Sequence, residues 1–482
     1  MKKLLTRTLA MVMTIVMLLS MAVFTASADE VLPSEDFVEE DGVFHIENAS
    51  DMMAFSGMAE WYQWYDGKTV SIDANIDMTG ASWTMIPNFK GILEGNGNCI
   101  KNLVITSTAQ VSIFKNLTNA TIKNLRFLDC AVTSTGTAGT IGGLSVTVTG
   151  ETLIENVYMD TTVDTGTAQR PGGFFAYTNV DANVTFKNCV SDATLKGSSH
   201  GGGFIAQHAN KGAKVEFIDC AFIGDLAGVG LKRSTGFLGI TDANAKFTRC
   251  ISLGKNSDNV NNGDFANLIQ QSAQKPNKSK IEIIDCYGVT AYATQRAVVL
   301  ENLKGMDISL TYGGNTIFSK EVADADTAMS DTEKATLDSK IKYLIEGDTV
   351  NFTKDNFKTL YPAFANWTVT DVTVEYAEGK TMPAIIPTSI VTLLAGSTDV
   401  PTGDDQTPGG DANQTPDPSD KSDEGDETET KAPETSDTKA ETNAVTEKVE
   451  EDKGCGGVIG AGAIAIIAVA GAAVVATRKK ED

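Results

Sequence analysis

Few residues in this sequence have the types and spacing that enzyme chemistry needs. Asp160, Asp164, Arg170, Lys232 and Arg233 fall in segments between predicted strands and could line one face. A polysaccharide lyase would need a basic residue beside acidic calcium ligands, and a glycosidase would need two carboxylates at a defined separation. The spacing of these five residues demands neither reaction, so solvated turns are the simpler interpretation.

Motifs for metals, phosphates and activated nucleophiles are also missing from the sequence. Only three histidines occur, and the separation of His200 from His208 does not match the helical i, i+4 zinc pair. The glycines at 201–203 lack the lysine and the following helix of a phosphate-binding loop, and there is no nucleophile elbow. The sequence therefore predicts no metal site and no cofactor.

Aromatic residues near the N-terminal end offer a different chemistry, the stacking of rings on a ligand. Trp61, Trp64, Tyr65 and Trp83 are candidate ligand-binding residues for a glycan or a surface protein. The same rings could instead seal the first turn of the fold, and both interpretations stay open.

The elements that would position such a site are repeats of about 30 residues. Inside each repeat, short alternating apolar runs are separated by Gly, Asn and Asp, which is typical of strands and turns. One repeated position holds Cys130, Val157, Cys189, Cys220, Cys250 and Cys286. A second holds Phe114, Leu144, Phe174, Phe204, Phe237 and Phe265. Stacked repeats of this length bury a continuous core, so the sequence predicts an all-β right-handed parallel β-helix.

The cysteine position is predicted to be a ladder in the core. A site that also accepts Val157 is small and apolar, so the thiols are expected to face inward, although bridges between adjacent coils stay open. The preceding residues are Asp129, Asn156, Asn188, Asp219, Arg249 and Asp285. Asn and Asp tolerate the left-handed backbone of a bend, which is favoured over a row of metal ligands.

Capping pieces are expected at both ends of the solenoid, which spans residues 68–300. Residues 29–67 form an N-terminal cap with a short helix over residues 50–61, for which Ser50 is the candidate N-cap. Residues 301–395 are predicted to be final coils or a C-terminal cap, with a helix within 330–344.

The two ends of the chain predict export and anchoring. Residues 1–28 have the basic start, apolar stretch and small-residue end of a signal peptide. Residues 396–454 form a predicted disordered acidic linker, in which 18 acidic residues face five lysines. Residues 455–477 comprise Cys455 and a predicted transmembrane helix, followed by a basic cytoplasmic tail at 478–482. The arrangement resembles bacterial C-terminal sorting signals, which makes Cys455 a candidate processing site.

The overall charge excludes one class of partner. The 482 residues carry a net charge of −24, which argues against sequence-independent nucleic-acid binding. The expected location is the extracellular face of a bacterial cell envelope, anchored by a single C-terminal helix.

The repeats resemble those of a known group of proteins. The units GGLSV, GGFFA, GGFIA and TGFLG are similar to the GLUG-motif repeats of bacterial surface proteins, and to the broader pectate-lyase-like β-helix superfamily. The resemblance implies a non-catalytic adhesion module that binds glycans or proteins. The alternative is an anchored polysaccharide lyase or glycoside hydrolase. A flat outward face of Ser, Thr and Asn would favour binding, and a groove of acidic and basic residues would favour the enzyme.

Overall fold

The computed structural model describes residue 37 and residues 39–396, apart from gaps at 63–64, 138, 167–169, 198–199, 211, 228–233, 256–262, 270–278, 290–295, 302–304, 324–328, 347–348 and 351. The predicted signal peptide, acidic linker, Cys455, transmembrane segment and tail lie outside the described residues. Within the described ranges, no helix is long and apolar enough to cross a membrane.

Strands dominate the described residues. The first are β1 (Glu39–Glu40), β2 (Val43–Ile46), β3 (Thr69–Ile72), β4 (Ile76–Asp77), β5 (Ile92–Glu94), β6 (Cys99–Lys101), β7 (Val104–Ser107), β8 (Phe114–Thr118), β9 (Thr121–Ser134), β10 (Thr140–Gly142), β11 (Ser145–Thr149), β12 (Glu151–Asp164), β13 (Arg170–Gly172), β14 (Phe175–Thr178), β15 (Asn183–Lys187), β16 (Val190–Ser191) and β17 (Thr194–Lys196). The next are β18 (Ile205–His208), β19 (Lys214–Ile218), β20 (Ala221–Phe222), β21 (Leu238–Thr241), β22 (Asn244–Thr248), β23 (Ile251–Ser252), β24 (Gly263–Ile269), β25 (Lys280–Ile284), β26 (Tyr287–Gly288), β27 (Arg296–Glu301), β28 (Asp307–Tyr312), β29 (Asn315–Glu321), β30 (Lys342–Tyr343), β31 (Ile345–Glu346), β32 (Thr349–Val350), β33 (Trp367–Ala377) and β34 (Lys380–Pro387). The helices are α1 (Ala49–Tyr62), α2 (Asp331–Lys340), α3 (Phe357–Leu360) and α4 (Thr388–Leu394), and a 3-10 turn covers Pro362–Phe364.

The strands wind into a parallel β-solenoid. The first sheet runs β2, β3, β5, β9, β12, β15, β19, β22, β25 and β28. The second sheet runs β4, β6, β9, β12, β16, β20, β23, β26 and β30. The third sheet runs β8, β11, β14, β18, β21, β24 and β27. All of these pairings are parallel, because each coil brings its strands back beside those of the coil before it.

A row of left-handed residues makes the bend between the first and second sheets. The backbone φ angles of Asn124, Asn156, Asn188, Asp219, Arg249 and Asp285 lie between 50° and 54°. Asn and Asp reach this conformation at low cost, whereas Arg249 is an unusual occupant. The predicted bend role is confirmed for Asn156, Asn188, Asp219, Arg249 and Asp285, whereas Asn124 was not predicted.

Stacked aromatic rings fill the core between the sheets. Phe174, Phe204 and Phe237 stack with centroid distances of 5.0 and 4.8 Å, and Phe186 lies 5.0 Å from Phe217 in a parallel stack beside them. Their regular spacing follows from the parallel register, which places equivalent side chains of successive coils one above the other.

The structure contains the predicted cysteine ladder, but Cys130 is not one of its members. Register places Val157, Cys189, Cys220, Cys250 and Cys286 in one column, and all of them are fully buried. The prediction that Cys130 belongs to this column was wrong, because Cys130 pairs with Thr161 while Leu125 pairs with Val157. Cys130 instead follows Asp129, which with Asn102 forms a second left-handed bend row. The long strand β9 contains both bends, and the sequence alignment matched the wrong one.

The helix predicted over residues 50–61 is observed as α1, but Ser50 is not its N-cap. Asn48 caps the helix, since its Oδ1 accepts hydrogen bonds from the backbone N–H groups of Ser50 and Asp51 at 2.9 and 3.1 Å. Phe55, fully buried, extends from α1 into the first coils. An Asn N-cap satisfies helix N–H groups that would otherwise lack partners.

The residues that follow the repeats extend the first sheet and cover the outer side of the second. Strand β28 pairs with β25 and extends the first sheet by a coil, and β29 pairs antiparallel with β28. Residues 352–396, which we call the lateral segment, pack along the outer side of the second sheet. Their apolar side chains cover Tyr158, Val190, Ile251 and Tyr287. Each of these four directly follows an inward-facing residue, so its side chain points outward and needs a cover.

Candidate functional site

Two of the four predicted ligand-binding aromatic residues, Tyr65 and Trp83, have side chains that the structure describes. Tyr65 is 3% exposed, and its hydroxyl donates to the Phe55 carbonyl. Trp83 is half-buried against the core, and its Nε1 donates to the Ile113 carbonyl at 3.1 Å. Trp61 belongs to α1, and Trp64 lies outside the described residues. Tyr65 and Trp83 therefore pack against the first coils, and ligand binding by the four aromatic residues stays a prediction.

The described charged candidates, Asp160, Asp164 and Arg170, each have local partners. The Asp164 carboxylate accepts a hydrogen bond from the backbone N–H of Gly166, two residues further on. Arg170 donates a hydrogen bond to the Gln207 side chain at 2.6 Å. Asp160 is half-buried, and burial, with the nearby Asp192 and Asp129 carboxylates, raises its pKa to about 6. Lys232 and Arg233 lie outside the described residues.

His208 is a structural residue. Its Nδ1 lies 2.8 Å from Thr178 Oγ1, and its Nε2 lies 2.7 Å from the Asn244 carbonyl. Burial lowers the pKa of His208 to about 4, so the neutral ring joins neighbouring coils.

Sequence reasoning missed a polar cleft between the solenoid and α4, which we call the amide cleft. Its volume is about 550 Å³, within the range of small-molecule sites. It is lined by Asn75, Glu94, Asn96, Gly97, Asn98, Asn124, Arg126, Asn156, Ser389, Thr392, Leu393 and Gly396. The asparagines come from the bend row and its neighbours, and the Ser and Thr from α4. The sequence shows the row of asparagines. It does not show that α4 covers them, because α4 is distant in the chain.

A chain of side-chain hydrogen bonds runs along this cleft. Asn156 Nδ2 donates to Asn124 Oδ1 at 2.9 Å, and Asn124 Nδ2 donates to Glu94 Oε1 at 2.9 Å. Lys123 pairs with the other Glu94 oxygen at 3.0 Å. Burial acts to raise the pKa of Glu94, but hydrogen bonds from Asn124 and Lys123 outweigh it, and the pKa lies below its usual value. The chain therefore ends on an ionised carboxylate.

Arg126 forms the floor of the amide cleft and is 1% exposed. Its Nη2 donates to the Gly97 carbonyl at 3.0 Å, and Nη2 and Nη1 make longer contacts of 3.4 Å to Asn75 Oδ1 and the Gly396 carbonyl. These acceptors belong to the protein, so the guanidinium holds the walls together.

Threonine and asparagine side chains form hydrogen bonds along the outward face of the third sheet. Thr147 Oγ1 donates to Asn116 Oδ1 at 2.8 Å, and Asn179 Nδ2 donates to Thr149 Oγ1 at 2.6 Å. Asn116 also donates to Asn88 at 3.0 Å.

The first sheet carries a groove of acidic and basic residues, which we call the charged groove. Its volume is about 350 Å³, and it is lined by Asn183, Thr185, Lys214, Val215, Glu216, Asn244, Ala245, Lys246, Lys280 and Glu282. Lys246 pairs with Glu216 at 2.6 Å, and Lys280 pairs with Glu282 at 2.8 Å. The ion pair with Glu282 raises the pKa of Lys280, which keeps that ammonium protonated.

Serine, histidine and aspartate side chains also meet near the amide cleft. His45 Nδ1 and Asp73 Oδ2 are 2.5 Å apart, and Ser71 Oγ donates to Asp73 Oδ1 at 2.6 Å. In a catalytic triad the serine must donate to the histidine, which then removes its proton. Here Ser71 and His45 both form hydrogen bonds with Asp73 and not with each other. Asn96 donates to Ser71 and Asp73 at 2.8 and 3.0 Å. The arrangement links three coils and does not activate the serine.

Comparison with known proteins gives no family. No family model matches the chain, and the search of curated proteins found no match. Among solved structures, the chain is similar to a candidate immunoglobulin A1 protease from Bacteroides ovatus, with 17% identity and a TM-score of 0.44 over 70% of this chain and 91% of that one. A second is an IgA1 protease, with 15% identity and a TM-score of 0.37 over 62% of this chain and 24% of that one. Overlaps this weak say nothing of activity.

Proposed function

We propose that this protein is a cell-surface binding module that recognises a glycan in the amide cleft. In this proposal the solenoid is held outside a bacterial cell by the C-terminal segment at 455–477, in the manner of GLUG-motif surface proteins. The observation that carries the proposal is the row of amides facing hydroxyls across a cleft of small-molecule size.

The chemistry of the amide cleft suits binding a polyhydroxylated ligand. Amide and hydroxyl groups both donate and accept hydrogen bonds, which matches the hydroxyls of a sugar. They are placed on a rigid scaffold, since Asn124 and Asn156 sit in a bend fixed by strands on both sides. A rigid site reduces the entropy lost on binding.

The same cleft is poorly equipped for catalysis. Glycoside hydrolysis needs a carboxylic acid that is protonated near neutral pH, and therefore a raised pKa. Glu94 has the opposite property, because Asn124 and Lys123 hold its pKa below the usual value. Binding without bond cleavage is therefore the better-supported activity.

The proposal is tested by applying the intact protein to a glycan array and by labelling intact cells from outside. Specific glycan binding, together with surface labelling that is lost when residues 455–482 are deleted, is the expected result. An array without any bound glycan would contradict the binding function. Labelling only after cell lysis would contradict the surface location.

The charged groove favours a second candidate function, an anchored polysaccharide lyase. A lyase base must lose its proton near neutral pH, whereas the ion pair with Glu282 raises the pKa of Lys280. Incubation with polyuronates and detection of unsaturated products by ultraviolet absorbance separates the two functions. Product formation that is lost in Lys280→Ala would establish the enzyme.

A further inference from the structure

The hydrogen-bond chain in the amide cleft has a direction. Each donor N–H points toward the N-terminal coils, from Asn156 to Asn124 and from Asn124 to Glu94. The ionised Glu94 attracts the first amide hydrogens and leaves the Asn124 oxygen richer in electrons. Hydrogen bonds in such a chain polarise one another, so the effect passes on to Asn156.

The electron-rich end of this chain lacks a partner. Asn156 Oδ1 is shielded from solvent and has no hydrogen-bond partner among the described residues. On α4, Ser389 Oγ is in the same state and lines the same cleft. An acceptor removed from water without a donor is destabilising, so Asn156 Oδ1 favours a ligand that brings hydrogen-bond donors. The Ser389 hydroxyl can donate or accept, and it can therefore pair with a ligand hydroxyl.

We infer that the amide cleft binds a neutral, hydroxyl-rich sugar through its O–H donors and selects against sugars that carry carboxylates; this rests on the proposed function. A uronate carboxylate has no hydrogen to give to Asn156 Oδ1 and would bring like partial charges together. Arg126 is 1% exposed, and its Nη atoms donate to the Gly97 and Gly396 carbonyls, so it offers a carboxylate little direct contact. Leu393 is the one aliphatic side chain larger than alanine that lines the described cleft, so selection depends on hydrogen bonds.

Matched variants test this assignment. Asn156→Gly removes the acceptor but tolerates the φ of 53°, and Asn188→Gly makes the same change at φ 51° outside the cleft lining. Ser389→Ala removes the second acceptor without touching the bend row. Calorimetric titration of the intact protein and each variant would use neutral hexose trisaccharides and a trigalacturonate of equal length.

The neutral trisaccharide that binds best is expected to bind at least tenfold more tightly than trigalacturonate. Asn156→Gly and Ser389→Ala should each weaken binding about three- to tenfold, while Asn188→Gly leaves it unchanged. Circular dichroism reports whether each variant is folded. If Asn156→Gly does not fold, the effect of Ser389→Ala on binding tests the site.

Equal binding of trigalacturonate would overturn the selectivity. Neutral-sugar binding that Asn156→Gly and Ser389→Ala leave intact would overturn the site but keep the proposed binding function. A chain that binds glycans of neither type, on the array or in solution, would overturn the proposed function itself.

Discussion

The indole Nε1 of Trp367 donates a hydrogen bond to Oδ1 of Asp219 at 3.2 Å, across 148 positions of sequence. Asp219 belongs to the bend row, and Arg249 on the next coil pairs with the same carboxylate at 2.6 Å. Trp367 is fully buried at the start of β33. The pair therefore fixes the lateral segment to the middle of the solenoid.

Trp367 is expected to be a main anchor of the lateral segment. Trp367→Ala should lower the free energy of unfolding by about 3–5 kcal/mol, because it leaves a large cavity and removes one of the hydrogen bonds to Asp219 Oδ1. Trp367→Phe keeps most of the packing and should cost about 1–2 kcal/mol. Denaturant unfolding followed by circular dichroism measures both. Equal stability of Trp367→Ala and the parent protein would show that the contact is not an anchor.

Asp160 should make stability depend on pH. Its pKa in the folded protein is about 6, against 3.8 for the ordinary side chain, so its favourable contribution is complete below about pH 4 and is lost as pH rises through 6. Asp160→Asn should therefore stabilise the protein at pH 7.5 by about 1 kcal/mol, a discounted figure because solvent screens a half-buried carboxylate. Melting temperatures at pH 7.5 and pH 4 test the sign, and an advantage larger at pH 4 would contradict it.

Gly203 is expected to tolerate no side chain. A Cβ there would lie 2.1 Å from the Gly236 carbonyl oxygen and 2.4 Å from Phe222 Cδ2, so Gly203→Ala should destabilise the protein by several kcal/mol. Gly57 in α1 is the matched control, because nothing lies within 4 Å of its added Cβ. Gly57→Ala should stabilise by about 0.5–1 kcal/mol. Thermal melts of the two variants should move in opposite directions.

Cys220 should behave as a small apolar residue and stay reduced. In-register strands hold neighbouring thiols side by side, with parallel Cα–Cβ bonds about 4.8 Å apart, which exceeds the Cβ separation of a disulfide. Cys220→Val should be nearly neutral, because Val157 occupies the same column, whereas Cys220→Ser should cost about 1–3 kcal/mol. Mass spectrometry should find alkylation of Cys189, Cys220, Cys250 and Cys286 only after unfolding. Labelling of the native protein would contradict burial.

The solenoid could be predicted from sequence because its information is repeated. Six similar segments give the period, the inward column and the bend residues, and each copy supports the others. The error at Cys130 arose where β9 carries two bends five residues apart, Asn124 and Asp129, each followed by an apolar residue. A local alignment cannot choose between them, because the choice depends on pairing with β12.

The lateral segment and the amide cleft could not be predicted in the same way. Their contacts join residues far apart in sequence, such as Lys255 and Glu375, which pair at 2.8 Å. One signal was available: Val190, Ile251 and Tyr287 directly follow inward-facing cysteines, so adjacent residues are both apolar. A strand that is apolar on both faces needs a cover on each side.

Attachment of the lateral segment changes how the solenoid can unfold. Coils that touch only their neighbours can fray one at a time from either end. Here Arg126 bonds to Gly396 across 270 positions, and the lateral segment packs on coils as far as Tyr287. Those coils share one partner and should melt together in a single transition. During synthesis, the second sheet must keep its outer apolar row uncovered until the last described residues have left the ribosome.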